Sequence, residues 1–230
     1  MIEKIRKFKA VIMGKDFLYK PTIKIKSEKL GNKSEGWWIA SDYMRLGGVV
    51  FSFGLGEDIS FDLAIMSKYN SKVYGFDPTP KALRYVKSLN IEENFILKEY
   101  AVADKNGHLM FNLPENENHV SGSFADINST NTITVEAKRL ITILEELKLT
   151  SSDIDILKMD IEGAEYDVIE DMIASKIFPK QVLIEYHHFF DSIINQKTKD
   201  NIRLLLDSRY ELFYIEGYNY SFIRKDLLND

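Results

Sequence analysis

The sequence contains no cysteine, which removes disulfides, thiolate metal sites and cysteine nucleophiles, so any metal has to be held by oxygen or imidazole. It also lacks a run of about 18 apolar residues that could span a bilayer. Met1 to Lys9 alternates charge with Ile and Phe where a secretory leader would carry an apolar block. A cytoplasmic protein without a membrane span is expected. With only 5 prolines and 12 glycines among 230 residues, and no linker-like or repeated stretch, one domain is the expectation. Excess positive charge is missing too. Thirty Lys and Arg against 35 Asp and Glu give a net charge of -5, a balance that repels a phosphate backbone and argues against nucleic acid as a partner. The local exception is a basic stretch of Lys4, Arg6, Lys7, Lys9, Lys15, Lys20, Lys24, Lys26 and Lys29. It reads as the solvated face of a lead-in segment over residues 1–36, with contact to an anionic substrate or membrane surface as the alternative. That segment is also the candidate for homodimer contact.

What is present is a rhythm. Apolar runs predict strands at Val49 to Phe53, Lys72 to Phe76, Phe95 to Ala103, Ile154 to Asp160 and Gln181 to Tyr186. Between them, amphipathic stretches predict helices at Asp58 to Tyr69, Pro80 to Leu89, Ile141 to Leu149, Ala164 to Lys176 and Lys197 to Ser208. Such alternation builds a doubly wound, mostly parallel α/β sheet through right-handed crossovers. Tyr210 to Glu216 and Tyr218 to Arg224 are joined too tightly for a crossover, so the sheet closes with an antiparallel hairpin. The rhythm is interrupted at about 105–138, where two short strands, His108 to Leu113 and Thr132 to Lys138, flank a polar loop. This insertion is the candidate lid of a domain covering 37–230, and its loop carries His119, Ser121, Gly122 and Ser123.

The strand ends carry the chemistry. The first strand runs into Gly54-Leu55-Gly56-Glu57-Asp58, glycines that let backbone approach a ligand just before a helix start. The third glycine of a dinucleotide fingerprint is absent, since Ile59 and Ser60 stand where it would fall, which disfavours pyrophosphate. The second strand ends at Asp77, roughly twenty residues further on, where a carboxylate can accept both ribose hydroxyls; a helix N-cap ahead of Pro78 and Pro80 is the plain alternative. Ala101, Val102 and Ala103 leave room for a flat base, with Asp104 able to accept from its amine. Ligands of such sheets lie across the carboxyl edge, so these loops would converge on one nucleoside.

At the fourth long strand the sequence reads Asp155-Ile156-Leu157-Lys158-Met159-Asp160-Ile161-Glu162-Gly163-Ala164-Glu165-Tyr166, which resembles the signature of the FkbM family of methyltransferases. Phe51 to Asp62, Phe76-Asp77-Pro78-Thr79-Pro80, the His119 to Ser123 loop and Trp37-Trp38 resemble one branch of the same family. The resemblance spans roughly Trp37 to Phe189. It implies a class I, Rossmann-like sheet of seven strands with S-adenosylmethionine as methyl donor. It also implies O-methylation of a small molecule, a sugar or nucleotide-linked sugar, in surface-glycan or secondary-metabolite biosynthesis. The cofactor-binding residues would be Gly54, Gly56, Glu57, Asp58, Asp77, Pro78, Thr79, Ala101, Val102, Ala103, Ser121, Ser123 and Asp160. Two departures stand out: Lys138 to Thr142 lacks the Leu-Asp pair of many relatives, and the first loop has Phe53-Gly54 where others begin with an acid.

Methyl transfer to oxygen needs an aligned acceptor and removal of its proton. Period-two alternation puts Lys158 and Asp160 on one face of their strand, and Glu185 and His187 on one face of theirs, so these four are the catalytic candidates. His187 is the favoured base for its near-neutral ordinary pKa. Asp160, Glu185 and His187 could instead hold one divalent cation, magnesium or manganese. Trp37, Trp38, Tyr186, Phe189 and Phe190 could wall a sugar pocket. Two rival readings remain: a nicotinamide-dependent oxidoreductase, and a non-catalytic cofactor-binding protein of the same fold.

Overall fold

The computed structural model describes Val11 and residues 16–112, 132–189 and 193–228. A short antiparallel pair, β1 (Glu28–Leu30) and β2 (Trp37–Ile39), precedes the main sheet. The main sheet contains β3 (Val49–Phe53), β4 (Lys72–Phe76), β5 (Phe95–Lys98), β9 (Ile154–Met159), β10 (Gln181–Glu185), β11 (Tyr210–Glu216) and β12 (Asn219–Arg224). Their spatial order is β11-β12-β10-β9-β3-β4-β5. The five strands β5, β4, β3, β9 and β10 are parallel; β12 runs antiparallel to β10 and to β11. The seven-stranded doubly wound sheet with its closing hairpin is therefore present.

Both faces of the sheet are covered, which is why its central strands read as almost unbroken apolar runs. All six residues of β9 are buried. On one face Val50, Val73, Ile156 and Leu183 pack against Phe61, Ile65 and Met66 of helix α1 (Ser60–Tyr69). Helix α2 (Pro80–Ser88) adds Val86 against Leu55 and Ile59. On the other face Phe51, Phe53 and Leu157 meet α3 (Leu140–Leu147), α4 (Glu165–Ala174) and α5 (Asn195–Ser208) through Leu140, Ile169 and Ile202. Each such fully buried side chain is worth roughly 1.5–3 kcal/mol.

One strand is divided. Phe95 to Ala103 does not run through: β5 stops at Lys98, whose carbonyl accepts from Asp77 N at 3.1 Å. Tyr100 then turns its ring under Lys138 Nζ, 4.6 Å from the centroid, and against Phe76. Beyond it β6 (Ala101–Val102) leaves the main sheet and pairs with β8 (Thr132–Lys138), which also pairs antiparallel with β7 (Gly107–Asn112). The expected insertion is thus a separate three-stranded sheet beside the β5 edge. Its loop, with His119, Ser121, Gly122 and Ser123, lies outside the described residues, as do Phe190 and residues 1–10 and 12–15 of the basic lead-in. No helix among the described residues is long and apolar enough to cross a membrane.

Candidate active site

A cleft of about 410 Å³ opens at the carboxyl edge of the sheet, where β3, β4, β9 and β10 end side by side. Gly54, Leu55, Gly56, Glu57, Asp58, Asp77, Pro78, Thr79, Ala101, Val102, Lys158, Asp160 and Glu185 all contribute to its walls. Ala103 is buried behind it, and Asp104 points to solvent.

The glycine loop is built for close approach. Gly54 has φ +79°, and a β-carbon there would lie 1.7 Å from the Asp160 carbonyl oxygen. Asp160 N donating to Phe53 O at 2.9 Å holds this contact, while Gly54 N donates at 2.9 Å to Phe76 O of the strand on the other side. Asp77 then braces the loop from the neighbouring strand. One of its oxygens accepts from Leu55 N at 2.9 Å and Gly56 N at 3.2 Å, the other from Thr79 N at 2.8 Å and Thr79 Oγ at 2.6 Å. A carboxylate offers about four acceptor directions, so Asp77 is already engaged. A ribose hydroxyl reaching it competes with the Thr79 hydroxyl, the one donor of the four free to rotate away. Asp58 likewise serves the fold, accepting from Ser60 N at 2.7 Å at the start of α1 and from the Asn32 side chain. Glu57 pairs with Lys81 at 2.9 Å.

The turn after β9 shows what the acidic signature does. Glu162 and Gly163 take φ +55° and +103°, and the buried Glu165 reaches back to accept from Ile161 N and Gly163 N, both at 2.9 Å. Glu165 also stands 2.8 Å from His187 Nδ1, while His187 Nε2 lies 3.2 Å from Glu162 and 3.6 Å from Asp160. Burial opposes charge on the His187 ring, but Glu162 and Glu165 outweigh it and raise its pKa to about 11. The ring therefore keeps its proton at neutral pH. This corrects the reading of His187 as an open base: alternation placed it on the right face, but it is only 3% exposed and ringed by carboxylates.

The remaining titratable groups face the cleft. Burial pushes Asp160 up to about 6 against the charges of Lys158 and His187, with Glu162 and Glu165 adding to the rise. Its side chain is still 33% exposed. Burial, then the Asp160 charge, push Glu185 up to about 7, with His187 and Lys158 opposing. Lys158 donates to the Gly54 carbonyl and lies over the Trp37 ring, 5.5 Å from its centroid. It is a buried cation that ties strand to loop.

The metal trio does not assemble as expected. Asp160, Glu162 and His187 present ligand atoms within 4.8 Å of one another, and Glu185 is not among them. Of the aromatic candidates, Trp37 lines the cleft. Trp38 stacks on Tyr214 at 4.0 Å, Tyr186 is packed between Tyr166 and Tyr220, and Phe189 lies against His187 and Tyr218.

Asp62 and the clamping role of Glu165 do not stand out in the sequence. The signal for Asp62 was its place on the apolar stripe of α1, three and four residues before Ile65 and Met66. Asp62 is only 2% exposed and lines the cleft.

The sheet order and the cleft at its carboxyl edge are those of a doubly wound methyltransferase. The chain belongs to the FkbM methyltransferase family, whose domain matches residues 53–222. No curated protein sequence matches it. Among solved structures it is similar to a fibrillarin pre-rRNA processing protein of Methanococcus jannaschii, at 12% identity and TM-score 0.46, over 79% of this chain and 68% of the other. It is also similar to a precorrin-6Y C5,15-methyltransferase of Geobacter metallireducens, at 10% identity and TM-score 0.45, over 79% and 83%. A third is CalS11, a TDP-rhamnose 3'-O-methyltransferase of calicheamicin biosynthesis, at 14% identity and TM-score 0.45, over 80% and 74%.

Proposed function

We propose that this methyltransferase uses S-adenosylmethionine to methylate a hydroxyl of a small, sugar-like molecule. The observation that carries the reading is the single cleft into which Gly54, Asp77, Ala101 and Asp160 converge from four separate segments. Its volume of about 410 Å³ falls within the roughly 300–1,000 Å³ of small-molecule pockets. The residues fit the cofactor: the loop Gly54 to Asp58, Asp77 to Thr79, Ala101 with Val102, and Asp160 would hold it, with Ser121 and Ser123 of the lid loop as further candidates. When bound, it supplies an activated methyl group.

The protein's own part is positioning and proton removal. Glu185 and Asp160 line the cleft and titrate near neutrality, so either carboxylate can take the acceptor proton, with Glu185 the better matched. His187 acts through them by holding the Glu162 turn in place. Trp37 and Phe111 give the cleft apolar walls suited to a sugar ring. A divalent cation has no place in this scheme. The nicotinamide reading is disfavoured by the missing third glycine and by the terminal hairpin.

The test is incubation with methyl-labelled S-adenosylmethionine and a panel of free and nucleotide-linked sugars. An O-methylated product is expected, with Glu185→Gln lowering turnover about 100-fold or more and leaving S-adenosylhomocysteine binding intact. Product from Glu185→Gln at the wild-type rate would remove Glu185 from the chemistry, and binding of NAD without S-adenosylmethionine would replace the reading altogether.

A further inference from the structure

Asp62 is a buried carboxyl that the fold leaves with one oxygen unpaired among the described residues. It belongs to the first turn of α1, is 2% exposed, and its Oδ1 has no hydrogen-bond partner among the described residues. Buried polar atoms are almost always paired, and an orphan calls for a ligand or water to complete it. Asp62 forms part of the cleft wall beside Trp37 and Lys158. Lys158 is the one basic residue among the described residues of that wall, and one of its three donors goes to the Gly54 carbonyl. Burial pushes the Asp62 carboxyl up to about 6, against the nearby Lys158 charge and the Ser52 hydroxyl. An arriving cationic donor would relieve that.

The topology says which end of the cleft this is. Asp77, Ala101 and Val102 lie toward the β4 and β5 edge, whereas Lys158 is paired in register with Ser52 between β9 and β3. A ligand lying across the carboxyl edges with its nucleoside at the first place puts its other end at the second. Adenine and ribose are neutral, and a sulfonium has no hydrogen to donate. The α-ammonium of the amino-acid end is the one group that is both cationic and a donor.

We propose that Asp62 anchors the α-ammonium of the amino-acid end of S-adenosylmethionine, an inference that rests on the cofactor reading above. The test is calorimetric binding of S-adenosylhomocysteine and of 5'-methylthioadenosine, which lacks the amino-acid end, to the wild-type protein and Asp62→Asn. The wild type is expected to bind S-adenosylhomocysteine at least tenfold tighter. Asp62→Asn should lose about tenfold for that ligand and bind 5'-methylthioadenosine as before. If Asp62→Asn binds both as the wild type does, or loses both equally, the anchor is overturned while the cofactor reading stands. If neither ligand binds the wild type, the cofactor reading falls and takes the anchor with it. Should the variant not fold, deaminated S-adenosylhomocysteine decides on the wild type: tenfold weaker binding than the parent supports an ammonium anchor, and equal binding overturns it.

Discussion

Replacing Gly54 by alanine probes the joint on which the cleft is hung. Two penalties combine there. A non-glycine residue at φ +79° costs roughly 1–2 kcal/mol for its backbone conformation alone. The new β-carbon, placed 1.7 Å from the Asp160 carbonyl oxygen, also cannot stay without parting the two loops. That parting breaks the bond from Asp160 N to Phe53 O, worth about 1 kcal/mol. A destabilisation of roughly 2–3 kcal/mol follows. The control is Gly47→Ala, with φ +72° but nothing within 4 Å of the added carbon; it should lose only the backbone part, about 1–2 kcal/mol. Urea unfolding of both variants measures the difference, and S-adenosylhomocysteine binding should fall for Gly54→Ala alone. If the two variants unfold at the same denaturant concentration, the close approach of the loops is not what requires glycine.

The raised pKa of Asp62 has a stability counterpart. A carboxyl whose folded pKa is about 6 instead of 3.8 favours folding below the unfolded value and loses that advantage as pH rises through about 6. Asp62→Asn should therefore be more stable than the wild type at pH 7 by about 2–3 kcal/mol, with the gap closing by pH 3.5, as thermal melts across that range would show. Glu165→Gln leaves the buried His187 ring without its nearest carboxylate and should cost roughly 3–5 kcal/mol in urea unfolding; a loss under 1 kcal/mol would mean that the pair contributes little. Dialysis against a chelator should leave turnover unchanged, and loss restored by magnesium or manganese would reinstate a metal.

Much of the fold was legible because sheet strands buried on both faces declare themselves as apolar runs. Val49 to Phe53, Lys72 to Phe76, Thr132 to Lys138 and Tyr210 to Glu216 stand where the pattern put them. Phe95 to Ala103 did not, since apolar character continues through Tyr100 and Ala101 while the chain changes sheets. The turn is made by long-range partners, Lys138 and Phe76, that local periodicity does not contain. Strand-end placement found Gly54, Asp77, Asp160 and Glu185 at the cleft for the same reason that all such sheets bind at their carboxyl edge. Protonation was not legible: His187 and Glu185 share a face by alternation, yet which one holds the proton depends on Glu162 and Glu165, set by a left-handed turn. Asp62 was hidden because a lone acid near a helix start reads as dipole compensation, and only tertiary burial shows its oxygen without a partner.

In a crystal structure with S-adenosylhomocysteine bound, the adenosyl group is expected beside Asp77, Ala101 and Val102, with the amino-acid end reaching Asp62 and the sulfur facing Asp160 and Glu185. Density for the ligand elsewhere, or a nucleoside turned with its base toward Asp160, would contradict this placement.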